Sequence, residues 1–255
     1  MSEPVAGHDI ARIRADNPGP FTLSGTNTWV VGRDPCWIVD PGPLLDEHVA
    51  TIVVEASERG GAAGIALTHD HADHAEAVPR VAAELGVRVA AARWAGADDL
   101  IADGDVLGPL TAVATPGHAP DHLAFVAGGA CLTGDAVLGE GSVFVAPDPG
   151  ALRGYLTALE RLRDMDLDVL CPGHGPPVDD PGAKLTQYLD HRRERERRLV
   201  AALGDGLRGV DEILDRVWDD VPDFLRPAAA VTLAAHLDKL AEEGALPDGV
   251  ERPAR

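Results

Sequence analysis

The sequence predicts an α/β fold at residues 1–180, followed by a small helical domain at residues 181–255. In the first part, short runs rich in β-branched side chains alternate with segments whose apolar residues recur at three- and four-residue spacing. This alternation is typical of strands and helices packed in layers. Residues 172–181 are dominated by Pro, Gly and Asp, which indicates a linker, and the pattern after them is helical.

Eight strands and three helices are predicted in the first domain. Each strand is a short apolar run, and each helix has one apolar stripe that could cover a face of a sheet. The strands are predicted at residues 28–31, 37–39, 65–68, 87–91, 110–114, 123–127, 130–132 and 169–171, and the helices at 46–59, 76–85 and 150–165.

Three helices are predicted in the second domain. Asp180 provides an N-cap and Pro181 a first-turn proline, after which apolar residues from Leu185 to Leu203 mark one face of a long helix. Two further helices are predicted at residues 210–218 and 227–243, and Gly244 ends the second of them.

The composition indicates a reduced, cytoplasmic protein that does not enter a membrane. No run approaches the roughly 18 apolar residues of a membrane span, and residues 1–16 are charged throughout, unlike a secretory signal. Three cysteines, Cys36, Cys131 and Cys171, lie singly in apolar runs without a CxxC partner. We therefore expect them to be buried thiols.

The net charge of −20 argues against a polyanionic partner, because nucleic-acid binding depends on cationic side chains. Residues 1–182 carry 10 Lys and Arg against 27 Asp and Glu, a net charge of −17. The only strongly basic stretch is residues 191–198, with five arginines and two glutamates. Two interpretations stay open: these arginines follow a phosphate backbone, or they form ion pairs on a helix surface, as the spacing of Glu194 with Arg197 and Arg198 permits.

A dense group of imidazoles and carboxylates follows the third predicted strand. Residues 69–74 contain His69, Asp70, His71, Asp73 and His74. Imidazole nitrogens and carboxylate oxygens are the ligands that Zn²⁺, Fe and Mn accept in proteins. Histidines two residues apart on an extended turn can point both rings at one ion.

Three more candidate ligands each follow a glycine at the end of a predicted strand. They are His118 after Gly117, Asp135 after Gly134, and His174 after Gly173. A glycine lets the backbone approach an ion without a Cβ clash. Although a lone histidine after a strand is more often a hydrogen-bonded structural residue, the combination predicts a metal site at one rim of the sheets.

The motif His69-x-His71-x-Asp73-His74, followed in order by His118, Asp135 and His174, resembles that of the metallo-β-lactamase superfamily over about residues 20–180. The resemblance implies a four-layer αβ/βα sandwich that binds two divalent metal ions, with Zn²⁺ favoured and Fe or Mn open. It assigns His69, His71 and His118 to the first ion, Asp73, His74 and His174 to the second, and Asp135 to a bridge between them.

A narrower resemblance lies outside the metal motif. The chain is similar to the β-lactamase-like protein 2 group in the segments Asn17-Pro18-Gly19-Pro20, Gly25-Thr26-Asn27-Thr28-Trp29, Asp40-Pro41-Gly42 and Gly117-His118-x-x-Asp121-His122. That group has a winged-helix appendage, which the resemblance places at residues 181–255. Its members include an endoribonuclease for single-stranded RNA, and its fungal relatives include thioesterases.

Together these patterns predict a dinuclear metal-dependent hydrolase that uses a metal-bridging hydroxide on a small ester, thioester or lactone. A cysteine stands in true β-lactamases where this chain has Asp135, so antibiotic hydrolysis is not expected. The alternative function is a single-strand-specific endoribonuclease. A diiron redox protein is a third hypothesis, which the absence of a flavodoxin-like sequence disfavours.

Two residues are predicted to be catalytic, Asp73 and His122. Asp73 would orient the hydroxide and accept its proton. For His122 two roles stay open, a donor to the developing oxyanion or leaving group, or a hydrogen-bond partner that fixes a ligand. Asn27 is either a substrate contact or a turn former, and Thr68, Asp70 and Thr115 are predicted to support the ligands. For Asp70 a helix-start role before Glu76 stays open as well.

Overall fold

Two β-sheets form the centre of the computed structural model, which describes residues 2–253. The seven-stranded sheet contains, in order, β1 (Glu3–Pro4), β2 (Ile10–Arg14), β3 (Asn27–Val31), β4 (Cys36–Val39), β5 (Ala62–Ala66), β6 (Arg88–Ala91) and β7 (Asp99–Leu100). The five-stranded sheet contains, in order, β12 (Val169–Pro172), β11 (Ala130–Gly134), β10 (Leu123–Ala127), β9 (Leu110–Ala114) and β8 (Val106–Leu107).

Strand direction changes part-way through each sheet. The pairs from β1 to β4 are antiparallel and those from β4 to β7 are parallel. In the second sheet only β11 and β12 are parallel. The helices are α1 (Asp46–Glu58), α2 (Ala72–Ala75), α3 (Val78–Leu85), α4 (Ala151–Arg163), α5 (Pro181–Gly204), α6 (Val210–Val217) and α7 (Arg226–Glu242), with a 3₁₀ turn at Asp223–Leu225.

The first sheet is covered on both faces, which explains why every residue of β3 is buried. On one face Trp29 and Val31 join a core that includes Phe125 and Leu132 of the second sheet. On the other face, Val30 belongs to a core shared with α1 and α3. Because side chains alternate across a strand, a central strand in this position buries residues on both of its faces.

The chain divides into two compact units. The first contains the residues up to Thr115, together with Asp121–Ser142 and Asp166–Pro181, and therefore both sheets. The second contains Pro116–Pro120, Val143–Met165 and the chain from Gly182 onward, and thus α4 as well as the C-terminal helices. The domain boundary at residues 180 and 181 stays a prediction.

The second unit has its own apolar core. Leu199 and Leu203 of α5 join Ile213 of α6 and Leu233 and Leu237 of α7. The three C-terminal helices predicted from periodicity are therefore present. Their buried apolar side chains form one core, and burial of that core stabilises the unit.

The eight predicted strands are present, with ends shifted by a few residues, but β1, β2, β7 and β8 were missed. β2 has the sequence Ile-Ala-Arg-Ile-Arg, and its arginines made residues 1–16 look like a charged terminus. Its apolar side chains Ile10 and Ile13 are in fact buried. The other three strands are only two residues long, too short for any periodicity.

All three cysteine side chains are buried. Burial raises the pKa of the Cys131 thiol to about 12 and raises that of the Cys171 thiol as well. Both are therefore protonated at neutral pH, as expected for cysteines that serve only packing. Within residues 2–253, no helix combines the length and apolarity that crossing a membrane requires.

Candidate metal centre

The loop after β5 carries the first group of candidate ligands. His69 is buried, and its Nε2 lies 3.0 Å from Nδ1 of His71. The chain is extended at His71, with φ −65° and ψ 145°, and then turns into the short helix α2. The predicted i, i+2 geometry is therefore present, because the ligand atoms of both rings point to the same place.

A second group brings together residues from α2 and from the ends of β11 and β12. The Nε2 atoms of His74 and His174 lie 3.3 Å apart. Nε2 of His174 lies 3.2 Å from Oδ2 of Asp73 and 3.4 Å from Oδ1 of Asp135. Two imidazoles and two carboxylates thus converge, and both the triad Asp73, His74 and His174 and the triad His69, His74 and Asp135 could hold an ion.

Glycines allow this close approach. A Cβ at Gly173 would lie 2.6 Å from both Oδ1 of Asp135 and Cε1 of His74. At Gly134, where φ is 46°, a Cβ would lie 2.6 Å from Oγ1 of Thr68. Any larger residue at either position would displace a candidate ligand or the side chain beside it.

Asp40, at the end of β4, supports this cluster. Its Oδ1 accepts a hydrogen bond from the backbone N–H of Thr68, and its Oδ2 accepts from Oγ1 of Thr68 and Nδ1 of His74. Because Nδ1 of His74 donates to a carboxylate, the Nε2 lone pair is left to face the cluster. From the sequence, Asp40 stands out only as part of the segment Asp40-Pro41-Gly42, so these contacts were not predicted.

The charges of the cluster favour a bound cation. Burial opposes charge on His74, but the carboxylates of Asp135 and Asp40 raise its pKa well above the ordinary value. Burial also opposes charge on His174, yet Asp135 and Asp73 raise its pKa to about 9. Burial would raise the pKa of Asp135, but His74 and His174 hold it well below the usual range. Positive charge is thus stabilised where the candidate ligand atoms meet.

The hydrogen bonds of His122 bear on its two predicted roles. Its Nε2 accepts a bond of 3.0 Å from the backbone N–H of Asp135, and its Nδ1 lies 2.8 Å from Oγ1 of Thr115. Both nitrogens of this buried ring are engaged, so the geometry does not support proton donation to an oxyanion. It supports the positioning alternative, in which His122 fixes the backbone of Asp135.

Asn27 also positions a ligand. Its Nδ2 donates to the carbonyls of Pro172 and Gly175, which flank the turn carrying His174. Because the side chain is buried, this arrangement favours a structural role over contact with substrate. Asp70, predicted to support the ligands, instead places a carboxylate oxygen 3.9 Å from Nε of Arg93.

His118 belongs to the second compact unit. Its Nδ1 donates to the carbonyl of Phe144 over 3.4 Å, and the two rings lie 4.6 Å apart. Donation from Nδ1 makes Nε2 the candidate ligand atom, the same division of roles as in His74.

Replacing Asp40 with asparagine is expected to weaken metal binding about 10- to 100-fold, the usual effect of losing a hydrogen-bond partner of a ligating histidine. Asparagine keeps the shape of the side chain and tolerates the φ of 52° at this position. However the amide is turned, its NH₂ group meets a donor from either Thr68 or His74. Competition with a chelator measures the affinity, and exposed Asp99→Asn is the control. Equal affinities in the two variants would remove this role from Asp40.

Comparison with known proteins gives the family. Residues 90–174 match the model of the metallo-beta-lactamase superfamily, and residues 210–246 match that of the beta-lactamase associated winged helix domain. A beta-lactamase-like protein 2 homolog of Caenorhabditis elegans is 32% identical over 92% of this chain and 85% of its own length. The chain belongs to the metallo-β-lactamase superfamily.

Other members of the superfamily agree with the fold. A beta-lactamase domain protein from Burkholderia ambifaria is 21% identical, with a TM-score of 0.81 over 100% of this chain and 93% of that one. A metallo-beta-lactamase family protein from Thermus thermophilus is 25% identical, with a TM-score of 0.73 over 92% and 94%. The predicted metallo-β-lactamase fold with a C-terminal winged-helix domain is confirmed.

The superfamily also defines the broad activity. An atrochrysone carboxyl ACP thioesterase from Aspergillus chevalieri is 35% identical over 84% of this chain and 74% of its own length. Metallo-β-lactamase-superfamily enzymes typically bind two divalent ions, and this chain has the His and Asp residues to hold them. The chain is a hydrolase of this superfamily, as the sequence predicted.

Proposed function

We propose that the protein hydrolyses a small thioester, ester or lactone with the help of two divalent metal ions, preferably Zn²⁺. The observation that carries the proposal is the convergence of Asp73, His74, Asp135 and His174 on one point at the ends of the strands. Four nitrogen and oxygen donors at one point suit Zn²⁺. The carboxylates among them also stabilise a bound cation.

The ligands divide into two sets. His69, His71 and His118 could hold the first ion, and Asp73, His74 and His174 could hold the second. Asp135, which the motif assigns to a bridge between the ions, lies in a group with His69 and His74. Support for the second set comes from the distances above. His118 is assigned to the first set by its place in the motif and by the lone pair that its Nδ1 hydrogen bond leaves on Nε2.

Two ions, when bound, would supply a water of lowered pKa and polarise the scissile carbonyl. The chain supplies the rest. The Asp73 side chain is 31% exposed, against 10% for Asp135 and 1% for Asp40, so it is the carboxylate of the cluster that solvent reaches. It can therefore orient the attacking water and take its proton, while the buried Asp135 and Asp40 hold histidines in place.

A thioester is the favoured substrate because the Aspergillus relative is named as a thioesterase of a carrier-protein thioester. The net charge of −20 also favours a substrate that is not a polyanion. The choice of a thioester over an ester or lactone rests on the first argument, and the second disfavours RNA.

The alternative, cleavage of single-stranded RNA, loses its main support. All five arginines of the basic stretch contact partners inside the second unit. Arg192 donates to the carbonyl of Val143, Arg193 pairs with Glu160, Arg195 with Asp220, Arg197 with Glu194, and Arg198 with Asp219. The ion-pair interpretation of this stretch is the better supported one, because few of these groups are left to follow a phosphate backbone.

A panel of substrates tests the proposal. Metal-loaded protein is incubated separately with acyl thioesters, aryl esters, lactones and single-stranded RNA, and initial rates are compared with those of chelated protein. We expect hydrolysis of a thioester to be fastest and to require the metal. Cleavage of RNA with no turnover of the other three classes would contradict the proposal and establish the alternative.

A further inference from the structure

The turn that carries His118 is built into the C-terminal unit. Residues Pro116–Pro120 cluster with Val143–Met165 and with the chain from Gly182 onward. Backbone hydrogen bonds fix the turn to this unit, since the N–H of Ala146 donates to the carbonyl of Gly117 over 2.8 Å. The imidazole of His118 donates a hydrogen bond to the carbonyl of Phe144 and packs against the phenylalanine ring.

The segment that holds the turn is itself held by the C-terminal helices. Arg192 of α5 donates to the carbonyl of Val143, and the N–H of Val145 donates to Oγ1 of Thr232 in α7 over 3.4 Å. A two-step chain of contacts thus runs from α5 and α7 through residues 143–146 to His118.

A second route leads from the same arginine to the same turn. The guanidinium of Arg192 lies over the ring of Tyr155, 5.5 Å from its centroid. Tyr155 packs directly against Gly117, where an added Cβ would lie only 2.6 Å from the tyrosine side chain. Arg192 and Tyr155 are both buried, so neither contact is a loose surface pair.

Helix α7 has the burial of a structural support. Its residues Thr232, Leu233, Ala234, Ala235, His236 and Leu237 are all buried. Six consecutive residues exceed one turn of 3.6, so the helix is covered on every side over this stretch. A helix that reads nucleic acid needs one exposed face. Residues 232–237 of α7 therefore do not form an exposed face that could contact nucleic acid.

We propose that the C-terminal helices serve as the scaffold that positions His118 for the first metal ion, with Arg192 as the main positioning residue. The inference rests on the proposed function, since it takes His118 to be a ligand. It gives the winged-helix appendage a part in metal binding that needs neither RNA nor a partner protein.

The test compares three variants with the wild type. Arg192→Met keeps the length of the side chain but loses the donor and the cation, and Thr232→Val is nearly isosteric but cannot accept the Val145 hydrogen bond. Arg197→Met is the control on the same helix, since Arg197 is 72% exposed and pairs only locally with Glu194. Each protein is checked for folding by circular dichroism and loaded with Co²⁺. The dissociation constants of both ions and the visible absorption of the bound Co²⁺ are measured.

We expect Arg192→Met to weaken the binding of one of the two Co²⁺ ions at least tenfold and to change the visible absorption of that ion. The other ion should keep its affinity and spectrum. Thr232→Val should act in the same direction with a smaller effect, and Arg197→Met should resemble the wild type. If Arg192→Met fails to fold, Thr232→Val decides the question. Wild-type affinities and spectra in every folded variant would overturn the inference. A wild-type protein that binds no metal would instead overturn the proposed function.

Discussion

Prolonged chelation is expected to abolish hydrolysis while the protein stays folded. The candidate ligands come from loops at strand ends, and the two cores of the first unit are built from apolar side chains alone. Burial of those side chains stabilises the fold without an ion. In a zinc finger, by contrast, metal binding supplies the free energy of folding. Elemental analysis should find close to two transition-metal ions per chain before treatment, and far-UV circular dichroism should be unchanged afterwards.

Readdition of Zn²⁺ to the chelated protein is the control and should restore activity. The melting temperature should fall on chelation, because a ligand that binds only the folded state stabilises it by mass action. Full activity with a single tightly bound ion would show that the site is mononuclear, and loss of secondary structure on chelation would show that the ions hold the fold together.

Replacing Asp73 with alanine is expected to reduce turnover by more than about 100-fold, since even the loss of a ligand's hydrogen-bond partner costs 10- to 100-fold. The change removes both a ligand of the second ion and the group proposed to orient water. Stability should change little, because the Asp73 side chain is partly exposed and Asp135 remains beside His74 and His174. The measurements are kcat at saturating metal, the midpoint of urea unfolding and the number of bound ions.

The control for this variant is Asp99→Ala, which removes an exposed carboxylate that pairs with Arg88 at the edge of the first sheet. It should keep wild-type turnover. Near-normal kcat for Asp73→Ala at saturating metal would mean that another group orients the water, and the role proposed for Asp73 would then be wrong.

The sequence was sufficient to propose the candidate ligands because their chemistry is local. A histidine or aspartate beside a glycine at a strand end can be recognised without knowing what lies opposite. The role of Asp40 could not be recognised in this way, because it contacts Thr68 and His74 across 28 and 34 residues of chain. In the sequence, Asp40 is marked only by the segment Asp40-Pro41-Gly42. The φ of 52° at Asp40 appears only in the structure.

His122 shows a different limit. The sequence placed it near the ligands but left it two roles, since an imidazole can donate or accept at either nitrogen. The choice depends on the N–H of Asp135, a backbone group that every residue except proline has and that leaves no mark in the sequence. The arginines of α5 were ambiguous for a similar reason. Two of their partners, Asp219 and Asp220, lie more than 20 residues away, on the far side of α6.

The separation of the converging ligands along the chain has a consequence for the order of events in synthesis. His74 and His174 face each other across 100 residues, and β12, which precedes His174, is parallel to β11, which precedes Asp135. Contacts of such long range form late in folding, because the chain between them must first be ordered. A nascent chain that has not yet reached His174 lacks one of the candidate ligands of the second ion. We therefore expect binding of that ion to follow completion of the second sheet.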